Sequence, residues 1–210
     1  MTVVSEYLAV AGAVRSLLAN GDVAKYWEYP SALEEWTVAG LAGHLARPVL
    51  NLSTILRAEV PAEKELTSAV NYYAEMPVAD LQLASTMATE IRQRGIDAAG
   101  SGIADLLQRY DSALTELHQT LPSLDAQQEV VALGVRMLLT EYLVTRMVEM
   151  LVHADDLATS IGTESPKFPI DAVDAVVATL ACISARRNNP TDILRALARA
   201  ERPIQQITAF

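Results

Sequence analysis

The stretch that most constrains the fold is GVRMLLTEYLVTRMVEMLVHADDLATSI, residues 134 to 161. Apolar residues recur through it at intervals of three and four, as on a helix with one buried face. Gly162 follows at once, and a glycine just past the last periodic residue is a helix stop. The pattern predicts one long helix over about 134–161, with the rest of the chain packed against it.

The other segments carry the same period. Tyr7, Val10, Ala11, Val14, Leu17 and Leu18 predict a first helix, with Gly21 as its stop. Residues 22–36 read as a loop with aromatic anchors. Thr37 reads as the N-cap of a second helix through Val38, Leu41 and Leu45, with Pro48 set to disturb it. Residues 59–77 hold acids, prolines and a Tyr-Tyr pair, and read as a connection. Helices are expected over about 78–98 and 103–119, separated by Gly100-Ser101-Gly102. Residues 121–128 read as a loop, and two shorter helices are expected near 170–187 and 191–201. No strand series, glycine-rich phosphate loop or fixed-period repeat interrupts this order. The expected fold is all-α: an antiparallel four-helix bundle over 1–162 with a helical C-terminal extension over 163–210, forming one domain.

Charge narrows the function. The net charge is −10, and no run rich in Lys or Arg offsets it, so nucleic-acid and anionic-membrane partners are excluded as expectations. No apolar run reaches membrane-spanning length, and the N-terminus lacks a basic region before its apolar stretch. The single cysteine, Cys182, rules out an internal disulfide, which fits a reducing cytoplasm. Cys182 is expected to be an inert core residue.

Chemistry concentrates on the long segment. Glu149 and His153 stand four apart, on one helix face, the spacing by which HExxH grips a metal with two side chains. Imidazole and carboxylate both suit Zn²⁺, and three protein ligands plus an open position make a catalytic site. Three histidines are available: His44, His118 and His153. His44 shares a face with Val38, Leu41 and Leu45 and points inward, whereas His118 has polar neighbours and faces solvent, so His44 is the expected third ligand. A plainer reading stands beside this one. E-x-x-x-H is common by chance, His44 can be an ordinary core histidine, and Arg146 can neutralise Glu149 as well as a metal can. Asp155 and Asp156 are either solvated surface acids or, for one of them, the partner that orients an imidazole. Trp36, Trp27 and Tyr26 can line a pocket mouth or simply pack a loop.

Three stretches together resemble one family. WTVAGLAGHLA is similar to the second-helix signature of the mycothiol-dependent maleylpyruvate isomerase N-terminal family, and LVTRMVEMLVHADDLA to its R-x-x-E-x-x-x-H-x-x-D-L signature. LRALARAERPIQQITAF resembles the ending of short actinobacterial relatives. The resemblance implies a DinB-like four-helix bundle. It implies a divalent metal, Zn²⁺ or another such as Ni²⁺, on His44, Glu149 and His153, with a mycothiol-type thiol bound there as the nucleophile. Arg146, by positioning a carboxylate, and Asp156, by supporting a ligand, are the expected catalytic residues. The implied activity is a thiol S-transferase or isomerase on a small electrophilic molecule in an actinobacterial cytoplasm. The full isomerases carry a separate C-terminal domain in place of residues 163–210, which favours a reaction other than maleylpyruvate isomerisation. Two other readings use the same residues: a non-catalytic metal- or small-molecule-binding helical homodimer, and a two-His-one-carboxylate iron site.

Overall fold

A computed structural model describes residues 2–61, 63, 65–77, 82–125, 127–132, 134–201 and 207–209. The order of elements is α1 (Val3–Leu18), α2 (Gly21–Lys25), α3 (Val38–Leu50), α4 (Leu52–Arg57), α5 (Ala69–Ala74), α6 (Thr86–Ala99), α7 (Ile103–Thr120), β1 (Glu129–Ala132), β2 (Val135–Leu138), α8 (Leu139–Ile161), α9 (Ile170–Arg187) and α10 (Pro190–Ala198). The fold is all-α apart from the small β1–β2 hairpin. Helices α1, α3, α7 and α8 pack on one another as the bundle, α6 lies along α3, and α9 closes over α1, α5 and α8.

Helix α8 is the organising element. Leu143, Met147, Met150, Ala154, Leu157 and Ile161 are buried at alternating spacings of four and three, a continuous stripe toward the core. Each large apolar side chain so buried contributes roughly 1.5–3 kcal/mol. One position before each of the first five lies a second stripe: Tyr142, Arg146, Glu149, His153 and Asp156. It is rotated about 100° around the helix, so the apolar face that fixes α8 also aims a polar edge at its neighbours. Gly162 ends the helix at φ 69°, a left-handed conformation that glycine adopts without a Cβ clash.

Helix α3 is set by its ends and by α6. The Thr37 hydroxyl accepts from the Gly40 amide, as an N-cap does. Pro48 stays inside the helix, and the helical run breaks three residues later at Asn51, before α4. Helices α3 and α6 meet backbone to backbone. A Cβ on Gly43 would lie 2.1 Å from the Gly95 carbonyl oxygen, and one on Gly95 would lie 2.6 Å from that of Gly40.

The structure corrects several sequence expectations. The long helix begins at Leu139. Residues 135–138 instead pair with 129–132 as an antiparallel hairpin, closed between Ala132 and Val135, with Gly134 at φ 82°. Its apolar residues suit either period, and the partner strand decided between them. Gly21 does not stop α1; Ala19 caps it, and Asn20 caps α2, which occupies part of the expected loop. The 59–77 connection contains α5. Helix α6 starts at Thr86, with 78–81 outside the described residues. Helix α10 spans 190–198 rather than 191–201. Cys182 is exposed, because the buried face of α9 runs through Ala172, Val176, Thr179 and Ile183 and leaves position 182 outside.

Candidate metal centre

The polar edge of α8 meets α3 at His44. The His44 Nε2 lies 3.3 Å from Glu149 Oε2, and the His153 Nε2 lies 3.6 Å from the same oxygen. The two imidazole rings stand edge to face, 4.8 Å between centroids. One donor atom from each residue lies within 4.8 Å of the other two. A tetrahedral zinc with bonds of about 2.0–2.1 Å needs donors roughly 3.3 Å apart, so two of the three edges already have the required length. Among the described residues this is the group of His, Cys, Asp and Glu side chains able to hold a metal ion.

The supporting shell differs between the ligands. The His153 Nδ1 lies 2.9 Å from Asp156 Oδ2, which holds that ring with Nε2 facing Glu149. This is the carboxylate–histidine arrangement common behind metals. The second oxygen of Glu149, Oε1, accepts from the Tyr73 hydroxyl at 2.8 Å, and that hydroxyl also lies 3.1 Å from the Thr145 carbonyl. The His44 ring packs edge-on against Trp36 at 5.2 Å, and its Nδ1 is buried without a hydrogen bond among the described residues.

The charges follow from this geometry. Burial pushes the Glu149 pKa up, but the bonds from His153 and His44 and the charge of Arg146 outweigh it, so Glu149 ionises well below the usual carboxylate range. Burial works against a charged His153 too, yet Asp156 and Glu149 prevail and push its pKa up to about 9. Burial, aided by the charge of His153, moves His44 the other way, below the ordinary histidine value. Without metal at neutral pH the centre therefore holds one carboxylate, one imidazolium and one neutral imidazole. Burial holds the Tyr73 hydroxyl protonated, and so a donor, far above its ordinary range.

Of the residues expected from sequence, His44, Glu149, His153 and Asp156 come together. Arg146 lies near them but bonds elsewhere. Its Nε donates to Thr145 Oγ1 at 3.1 Å, and its guanidinium sits 5.1 Å from the Tyr142 ring centre. Arg47, one turn past His44 on α3, feels the charges of Arg94 and Arg146. Since Arg146 lies one turn before Glu149, helices α3 and α8 run antiparallel. A cavity of about 580 Å³ opens beside Arg47, Arg94 and Arg109. His118 is exposed, as expected. Asp155 is exposed and bonds Ser165, so of the two aspartates only Asp156 supports the centre. Sequence reasoning does not single out Tyr73; the one signal it offers is the Tyr-Tyr pair in an acidic stretch.

A family profile described as the mycothiol maleylpyruvate isomerase N-terminal domain matches residues 7–158, which include every residue of this centre. Comparisons with curated proteins and with solved structures find no match.

Proposed function

Because the chain belongs to the mycothiol maleylpyruvate isomerase N-terminal domain family, we propose that it is a divalent-metal, thiol-dependent enzyme acting on a small electrophilic molecule. The observation that carries this reading is the convergence of His44 Nε2 and His153 Nε2 on one oxygen of Glu149, at 3.3 and 3.6 Å. These three side chains would hold zinc, or a similar divalent ion such as nickel. Three protein ligands leave a position for an exogenous group. The bound metal would supply the acidity that turns a mycothiol-type thiol into a thiolate at neutral pH.

The chain's own residues do the remaining work. Asp156 keeps the His153 ring turned so that Nε2 is the ligating nitrogen. Tyr73 satisfies the free oxygen of Glu149 and holds the carboxylate still. Arg146, cationic and in no contact salt bridge among the described residues, would position a carboxylate of the substrate; Arg47 and Arg94 extend the positive field beside it. Trp36, packed edge-on against the His44 ring, would shield that side of the centre from water. Held there, such a thiol would supply the nucleophile for addition to an activated C=C bond, in which the C–S bond forms as the π bond opens and the neighbouring carbon takes up a proton; the reverse loss of thiol and proton after a bond rotation would give isomerisation instead. Such an enzyme would work in the cytoplasm, as one domain, on a small molecule.

The test is metal content by mass spectrometry, on the wild type and on His153→Ala, both purified without a histidine tag or added metal. About one zinc per chain, lost in the variant, supports the reading. A wild type that stays metal-free even after zinc is added ends it.

A second reading, a non-catalytic binding protein that forms a homodimer, draws on the C-terminal helices. Val177, Leu194 and Leu197 are large apolar residues left exposed there, beside an apolar groove of about 420 Å³. Sedimentation of the wild type and of Leu197→Glu distinguishes a dimer from a monomer.

A further inference from the structure

Helix α5 has six residues, too few to hold its own shape in water. It nevertheless supplies Tyr73, whose hydroxyl reaches Glu149. Its N-terminal end is fixed from α8 and from within. The Ala69 amide donates to Glu141 Oε2 at 2.8 Å, and the Ser68 hydroxyl caps the Asn71 amide at 3.1 Å. Its C-terminal end is fixed from α9. Arg187 donates to the Tyr73 carbonyl and, at 3.0 Å, to the Met76 carbonyl, while the neighbouring Arg186 bonds the Asn71 side chain. Carbonyls in the last turn of a helix lack an intrahelical partner, and here the guanidinium bonds one of them, that of Tyr73, together with the Met76 carbonyl two residues past the helix end.

Arg187 is placed for this by the period of α9. It lies four residues after Ile183 on the stripe Ala172, Val176, Thr179, Ile183, so it continues the inward face rather than the solvent face. Its Nε is buried without a hydrogen bond among the described residues, and both bonds to the carbonyls come from its terminal Nη2. Helix α9 also lies wholly outside the segment, residues 7–158, that matches the family.

We propose that Arg187 is a positioning residue of the metal centre: by holding the Tyr73 and Met76 carbonyls it locks α5, and with it the Tyr73 hydroxyl, against Glu149. Helix α9 is then part of the centre rather than an appendage to it. The inference rests on the metal-binding reading above, extended by one shell. Loss of a supporting partner typically lowers metal affinity by about 10–100-fold.

The experiment uses the full chain with Zn²⁺ and Co²⁺ as probes. Zinc affinity is measured by competition with a chromophoric chelator, and the cobalt site by its visible absorption spectrum, for wild type, Arg187→Ala, Tyr73→Phe and the double variant. Arg187→Ala is expected to weaken zinc binding by roughly 10–100-fold and to shift the cobalt spectrum in the same direction as Tyr73→Phe. The double variant is expected to bind no more weakly than Tyr73→Phe alone, since both changes remove one hydrogen bond. Wild-type affinity and spectrum in Arg187→Ala would overturn the proposal, as would losses that multiply in the double variant. If Arg187→Ala fails to fold, Arg187→Met, which keeps an apolar stem and removes the donor, takes its place with the same two criteria. A wild type that binds neither metal brings down the metal reading and this inference together. A metal-binding wild type with an unaffected Arg187 variant brings down this inference alone.

Discussion

His44 Nε2 and Glu149 Oε2 are 3.3 Å apart although 105 positions separate the two residues in the chain. That contact joins α3 to α8 through two inward-turned polar side chains. It makes Glu149 the hub of the centre, because His153 meets the same oxygen and Tyr73 the other one.

Glu149→Gln keeps the volume and removes the charge. Zinc affinity should fall by more than the roughly 10–100-fold that a supporting residue is worth. In the metal-free variant the His153 pKa should drop from about 9 toward the ordinary histidine value, because one of its two acids is gone. NMR titration of the His153 ring protons reads this directly; an unchanged value would mean that Asp156 alone sets it.

Asp156→Asn tests the orientation of His153. The amide is nearly isosteric but cannot hold Nδ1–H as an anion does. Zinc should bind about 10–100-fold more weakly, with little loss of thermal stability. A chelator competition that returns wild-type affinity would return Asp156 to the role of a surface acid.

Zinc binding should release one proton from the protein at pH 7. His153, with a pKa near 9, is then protonated and must lose its proton to ligate; His44, shifted down, and Glu149, far down, are already free to bind. Apparent affinity should therefore rise about tenfold per pH unit from 7 toward 9 and level off above it. Calorimetry in two buffers of different ionisation enthalpy counts the proton, and a count of zero contradicts the assignment.

Gly43→Ala should destabilise the chain by about 1–3 kcal/mol or more, since the new methyl meets the α6 backbone rather than a flexible side chain. Gly12→Ala is the control. Nothing lies within 4 Å of a Cβ there, and alanine in a helix interior should stabilise by about 0.5–1 kcal/mol. Thermal melts of the two variants should move in opposite directions.

Much of the centre is legible in the amino-acid sequence. Glu149, His153 and Asp156 lie four and three apart on one helix, so helical geometry alone puts them on one face. The inward direction of His44 follows from the apolar residues around it. The start of α8 is not legible, because the apolar residues at 135–138 satisfy a strand as well as a helix until a partner strand is present. Nor is the exposure of Cys182, because one apolar residue in an Ala-rich helix does not reveal which side the core is on.

The helices, their caps at Thr37 and Gly162, and the shared face of Glu149 and His153 are written in the chain itself, since each depends on contacts within about one helical turn. Tertiary packing alone settles that His44 closes on Glu149 and that Tyr73, held by Arg187, completes the shell. Those contacts join residues on different elements, and their geometry is set by how closely helices pack: by the glycines between α3 and α6, and by α9 lying over α5. Local periodicity carries no record of either.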